Sequence, residues 1–191
     1  LYLSGTFSSS MIEYGVLTIY GGDSMPDDSY VLKTDLDGNG LWFNSLASGN
    51  LVRIKNMNLH GNGINISGYF ARGVTDNFEY NNSPLITSFS NKFFYLVLDE
   101  NGNLLNHKFL RKVEESFRSY QSVTDIYNNT YLSGELNSPD SLMIDGEVIR
   151  SNGLNKLFLI KLDQSGNLAW YRTFHGTTEG SFSSYTMRLD E

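Results

Sequence analysis

Two unrelated short motifs recur along this chain on nearly the same period, which limits the possible folds more tightly than any bulk property. Asp37-Gly38-Asn39-Gly40, Asp99-Glu100-Asn101-Gly102 and Asp163-Gln164-Ser165-Gly166 each stand between apolar runs, with aspartates 62 and 64 residues apart. Leu3-Ser4-Gly5, Ile66-Ser67-Gly68 and Leu132-Ser133-Gly134 follow intervals of 63 and 66 residues. A shared period indicates a structural repeat whose units bury their apolar surfaces against one another. With 12 Phe, 12 Tyr, 18 Gly and only 3 Pro, the chain suits short strands joined by tight turns, not long helices.

One repeat reads as four strands. Val52 to Leu59 sets Val52, Ile54, Met57 and Leu59 among polar residues. The turn-forming residues His60-Gly61-Asn62-Gly63 lead into a second strand, Ile64 to Phe70. Phe93 to Leu98 is apolar at every position, as a strand covered on both faces must be. Asn101-Gly102 turns the chain into a fourth strand, Leu104 to Leu110. Four antiparallel strands are the count of one propeller blade.

In the third strand the expected equivalences are Leu32, Phe94 and Phe158, then Leu36, Leu98 and Leu162, with Val31, Phe93 and Leu157 on the opposite side. Each repeat also carries an insertion between its second and third strands. Val16 to Tyr20, Leu85-Ile86-Thr87 and Ser141 to Ile149 fall there, and Asp145-Gly146 marks a hairpin turn in the last. The expectation is an accessory hairpin protruding from one rim of each blade. Leu1 to Gly5 begin within a repeat, and Tyr185 to Glu191 open another. The fold class is therefore read as all-β, a β-propeller fragment of about three four-stranded antiparallel blades forming an open arc. Its parts are a partial blade at 1–50, blades at 51–115 and 116–178, and the first strand of a next blade at 179–191. The remaining blades would come from a longer chain. The isolated arc is expected to self-associate through open blade faces formed by Leu32, Leu36, Phe158 and Leu162.

A net charge of −7 with no run of cations gives no footprint for a nucleic-acid backbone. Without cysteine there is no disulfide framework and no thiolate metal site. No apolar run is long enough for a membrane-inserting helix.

Leu162-Asp163-Gln164-Ser165-Gly166-Asn167-Leu168-Ala169-Trp170 resembles the bacterial β-propeller repeat family, the seven-bladed or SBBP repeats, in which a Leu-Asp strand end, a Gly-Asn turn and Leu-Leu-Trp follow one another. Leu98 to Asn106 keeps the pattern, with Asn106 in place of Trp, whereas Gly40-Leu41-Trp42 reads as a shortened copy. Tyr2 to Gly5 and Tyr131 to Gly134 are similar to the family's Tyr-Leu-Ser-Gly strand, and Ile64 to Gly68 is a looser version. The resemblance implies a secreted or surface-exposed bacterial protein and specifies no reaction. A weaker likeness, to tryptophan-docking repeats, lacks the Ser-Gly strand.

Asp35-Leu36-Asp37-Gly38-Asn39-Gly40 imitates the front half of a calcium loop, but Leu46 stands where a bidentate Glu is needed. Asp35, in that reading, corresponds to Val97 and Lys161, so a turn without a metal is expected. Asp37, Asp99 and Asp163 could suggest paired catalytic carboxylates, but one per repeat is the pattern of a turn residue. His60, His107 and His175 do not recur, and no Gly-x-Ser-x-Gly elbow surrounds any serine. Asn81 and Asn128 head glycan-acceptor triplets that read more simply as turns. An axial funnel lined by first strands would present Arg53, Lys55, Asp125, Arg188 and Asp190. No catalytic, metal or cofactor residue is assigned. The expected function is a non-enzymatic binding or scaffold module, secreted or at the cell surface, taking an unknown surface glycan or protein. The alternative is part of a carbohydrate-active or quinone-dependent propeller enzyme whose catalytic groups lie elsewhere.

Overall fold

The structure is a computed structural model that describes residues 1–21, 27–48, 51–61, 63–71, 78–86, 92–112, 121–136, 141–151, 156–175 and 187–190. Among these residues the regular structure is entirely β. The first repeat supplies β1 (Tyr2–Phe7), β2 (Met11–Tyr14), β3 (Leu17–Tyr20), β4 (Asp28–Thr34) and β5 (Gly40–Ser48). The second supplies β6 (Leu51–His60), β7 (Gly63–Ala71), β8 (Phe78–Tyr80), β9 (Ser83–Ile86), β10 (Lys92–Leu98) and β11 (Leu104–Lys112). The third supplies β12 (Gln121–Thr124), β13 (Thr130–Leu136), β14 (Ser141–Ile144), β15 (Glu147–Arg150), β16 (Lys156–Leu162) and β17 (Leu168–His175).

Three antiparallel sheets result, each built around the strands of one repeat. Their orders are β1-β4-β5-β8-β9, β15-β14-β11-β10-β7-β6 and β12-β13-β16-β17, while β2 and β3 pair only with each other. β10 lies at the centre because both its faces are apolar. Phe94, Leu96 and Leu98 point into a core shared with Val31 and Leu46 of the first sheet. Phe93, Tyr95 and Val97 point into a second core with Leu132, Phe158 and Ile160 of the third. Alternate side chains of one strand thus hold sheets on both sides together, each buried aromatic or leucine contributing roughly 1.5–3 kcal/mol.

The Ser-Gly motif has a packing cause. Gly5 pairs with Tyr30, Gly68 with Phe94 and Gly134 with Phe158 across neighbouring strands. A Cβ on Gly68 would lie 2.7 Å from the Phe94 ring and 2.0 Å from the Arg53 carbonyl oxygen. At Gly5 it would lie 2.6 Å from the Tyr30 hydroxyl. The glycine leaves room for a large ring laid over the strand beside it.

These pairs also correct the register between repeats. Tyr30, rather than Leu32, is equivalent to Phe94 and Phe158, and Thr34, rather than Leu36, to Leu98 and Leu162. Leu36 is a turn residue, 98% exposed. Leu32, Phe158 and Leu162 are buried, so they do not form the open faces expected of them.

The accessory hairpins form, but they do not protrude from their own blades. β8 pairs with β5, joining Leu46 to Tyr80 and Ala47 to Glu79. β14 pairs with β11, joining Arg111 to Met143 and Lys112 to Leu142. The second and third insertions therefore extend the outer edge of the preceding repeat's sheet. Phe78, Tyr80, Leu142, Ile144 and Ile149 are buried there, which gives the insertions their apolar alternation. The strand expected from Tyr185 onward falls mostly outside the described residues, and 187–190 form no strand.

Candidate functional site

The recurrent acidic residues share one local structure. The Asp99 Oδ1 accepts from the backbone N–H groups of Asn101 and Asn103, each at 2.8 Å, and its Oδ2 accepts from the Asn103 side-chain amide at 2.9 Å. Asp35 is held in the same way by Asp37 and Asn39, and Asp163 by Ser165 and Asn167. In each turn the glycine three residues after the aspartate has positive φ: Gly38 84°, Gly102 79° and Gly166 78°. The aligned aspartates are therefore Asp35, Asp99 and Asp163, 64 residues apart each time. Asp37 occupies the position of Asn101 and Ser165. In this register the first repeat is not shortened, and Trp42, Asn106 and Trp170 are equivalent.

A fourth copy joins a different pair of strands, off the 64-residue period of the other three. Asp125, between β12 and β13, accepts from the N–H groups of Tyr127 and Asn129 and from the Asn129 amide, at 2.8–2.9 Å. Asp125 is thus a turn residue, not a funnel-lining strand residue. The readable signal was the spacing Asp-x-x-x-Asn, which occurs at all four turns. The Asn39 and Asn103 side-chain amides are the leading influence holding Asp35 and Asp99 below the usual carboxylate range, while for Asp163 it is the Asn167 backbone N–H. For Asp125 partial burial pulls upward, but the hydrogen bonds from Asn129 and Tyr127 outweigh it. At the Asp35 loop both carboxylate oxygens accept hydrogen bonds from the turn itself, which accounts for the calcium-like spelling.

The same turns lock one sheet to the next. Trp42 Nε1 donates to the Glu100 carbonyl at 2.9 Å, Asn44 Nδ2 to the Gly102 carbonyl at 2.8 Å, and Asn106 Nδ2 to the Ser165 carbonyl at 2.9 Å. Tyr80, whose phenol is pushed upward by burial, also donates to the Gly102 carbonyl. Lys108 and Asp145 add an ion pair of 2.5 Å between β11 and the next repeat's hairpin. Asp145, like Asn81, Asn82 and Asn128, has positive φ, so these asparagines do serve turns.

The turns joining β4 to β5, β6 to β7 and β12 to β13 lie at the same end of their sheets and expose Leu36, Leu59, Ile126 and Tyr127. Asp35 closes the turn that carries Leu36 and Asp125 the turn that carries Ile126 and Tyr127, whereas Leu59 adjoins a turn without an aspartate, and Glu100 and Gln164 stand at the position of Leu36 in the later repeats. A second surface is an open groove of about 620 Å³ beside β17, lined by Glu147, Leu168, Ala169, Trp170, Tyr171 and Arg172. Arg172 stacks over the Trp170 ring at 5.7 Å.

The other sequence candidates do not converge. Arg53 pairs with Asp27, and Lys55 lies over the Tyr69 ring at 5.4 Å. His107 packs edge-on against Phe109, and burial lowers its pKa. The His60 side chain lies outside the described residues, and Arg188 and Asp190 belong to no strand. Among the described residues no three His, Cys, Asp or Glu side chains gather as a metal site would require. No family model matches the chain, and no curated protein matches it.

Proposed function

We propose that the chain is an arc of a β-propeller of the SBBP-like kind, serving as a non-enzymatic binding or scaffold module. The observation that carries this reading is a division of labour within the turns. Asp35 and Asp125 each hold a turn closed while Leu36, Ile126 and Tyr127 project from these turns, exposed and apolar, with Leu59 beside the β6–β7 turn; the turns of Asp99 and Asp163 instead present Glu100, Asn101, Gln164 and Ser165. A constant frame with a variable, partly apolar rim suits recognition, since exposed apolar side chains gathered on one rim mark interaction surfaces. The partner class is a surface glycan or a protein, and an extracellular bacterial setting follows from the family resemblance.

The test compares the wild-type chain with a variant carrying Leu36→Ser, Leu59→Ser, Ile126→Ser and Tyr127→Ser on a glycan array and on a panel of immobilised extracellular-matrix proteins. Binding by the wild type that the variant loses, with thermal unfolding unchanged, is the expected result. Binding that survives all four substitutions removes the rim from the function.

A further inference from the structure

Asn-Gly occurs four times in the chain, at Asn39, Asn62, Asn101 and Asn152. In this dipeptide the side-chain amide is open to attack by the following backbone nitrogen, because glycine carries no Cβ to shield it. Asn62 and Asn152 lie outside the described residues. The other two are built differently. The Asn39 amide is bound to Asp35 Oδ2 at 2.8 Å, inside its own turn. Asn101 is exposed, and among the described residues its side chain has no hydrogen-bond partner.

The backbone around Asn101 is held from both sides. Within the turn, the Gly102 N–H donates to the Asp99 carbonyl at 3.1 Å. Across the junction, the Glu100 carbonyl accepts from Lys33 Nζ at 2.7 Å and from Trp42 Nε1 at 2.9 Å. The Gly102 carbonyl accepts from Asn44 Nδ2 at 2.8 Å and from the Tyr80 hydroxyl. All four donors belong to the first sheet. Trp42 and Asn44 stand two residues apart on β5, so the two carbonyls they grip must keep a fixed separation across Asn101. The glycine cannot be exchanged to slow the chemistry: Gly102 has a φ of 79°, and a Cβ there would come within 2.7 Å of Asn44 and 2.8 Å of Trp42.

We propose that Asn101 is a deamidation site gated by opening of the junction between the first two sheets, and that its isoaspartyl product keeps that junction from closing again. In the closed state the Gly102 nitrogen is engaged and its carbonyl is pinned, so the peptide cannot turn toward the Asn101 side chain. Once the junction opens, the nitrogen gives its proton to a solvent base and bonds to Cγ; the Cγ–Nδ2 bond breaks, and ammonia leaves with a proton returned from solvent. Water then opens the succinimide ring. Cleavage of the new N–Cγ bond leaves aspartate, which the turn accommodates, since Asp37 stands at this position in the first repeat. Cleavage of the original peptide bond leaves isoaspartate, whose main chain runs through Cβ and Cγ and is longer by one methylene. The Glu100 and Gly102 carbonyls then no longer match the spacing of Trp42 and Asn44.

Peptide mapping by mass spectrometry, with fragmentation that separates aspartate from isoaspartate, follows each Asn-Gly while the protein is incubated at mildly alkaline pH. In the folded protein Asn101 should convert faster than Asn39, and more slowly than it does in the urea-unfolded chain. Tyr80→Phe, which removes one grip on Gly102 and keeps the ring, should raise the Asn101 rate roughly two- to tenfold and leave Asn39 unchanged. Exchange of the Gly102 amide should quicken by the same factor, because both reactions need that N–H released. Fresh Asn101→Asp should unfold like fresh wild type. Asn101→Ser, with the residue that the third repeat carries at Ser165, should lose less melting temperature on incubation than wild type does. Conversion at Asn101 as fast in the folded as in the unfolded chain, slower than at Asn39, or unmoved by Tyr80→Phe overturns the gate. Aged wild type no less stable than aged Asn101→Ser overturns the block on reclosure.

Discussion

Phe94 and Gly68 behave as one unit, a ring lying across a backbone stripped of its side chain, and the pairs at Tyr30 and Phe158 repeat the arrangement. Gly68→Ala should therefore destabilise the protein by about 1–3 kcal/mol or more, since the new methyl would meet both Phe94 and the Arg53 carbonyl. Thermal unfolding checks this; a melting temperature equal to wild type would mean that the strand shifts freely to admit the methyl. The four turn aspartates make a pH prediction. Their folded-state pKa values are depressed, so their contribution is complete above the ordinary Asp value of about 4 and is lost as pH falls through the lower folded values. Melting temperature should be level from neutral pH down to about 5 and fall below about 4. In Asp99→Asn and Asp163→Asn variants that fall should be shallower, with a lower plateau at neutral pH. A wild-type profile flat through the acid range would show that these turns do not contribute to stability through their charge.

Among the elements, β10 was the most readable, because six consecutive large apolar residues allow only a strand covered on both sides. The hairpins were half readable. Asp145-Gly146 announces a turn, but the outer edge of a strand pairs through backbone groups, and a sequence does not name their partner. The register of the first repeat failed for a local reason: Asp35-Gly38 and Asp37-Gly40 have the same Asp-to-Gly spacing, and what separates them is Asn39 four residues after Asp35 and the positive φ at Gly38. That slip placed Leu36 in the core and hid the exact 64-residue period. Of the candidate rim, the turn positions were legible, whereas its exposed apolar character emerged only with the correct register. Leu142 in β14 is fully buried against the neighbouring sheet although it belongs to the next repeat. Leu142→Ala should cost about 2–5 kcal/mol. Exchange at Arg111 and Lys112 should quicken with it, because their ladder partners loosen. Loss of protection confined to β14 and β15 would show that the hairpin decorates its neighbour without stabilising it.

At the scale of the molecule, the two cores share β10, so stability should be graded from the centre of the stack outward. Amide exchange at low protein concentration should be slowest in β10 and faster in β1 and β17, which have one strand neighbour each among the described residues. Equal protection in all three would indicate a single cooperative unit in which the edges are as firmly held as the centre. The grafted hairpins also impose an order in time on synthesis. β5 ends at Ser48, but β8, the strand that completes its edge, begins only at Phe78, and β11 waits similarly from Lys112 to Ser141. At about 5–20 residues per second, a growing chain leaves each outer strand bare for roughly 2–6 s before its cover emerges from the ribosome. During that interval the nascent strand is open to pairing with a neighbour on the same message, so a slow stretch of codons between β11 and β14 would prolong its hazard.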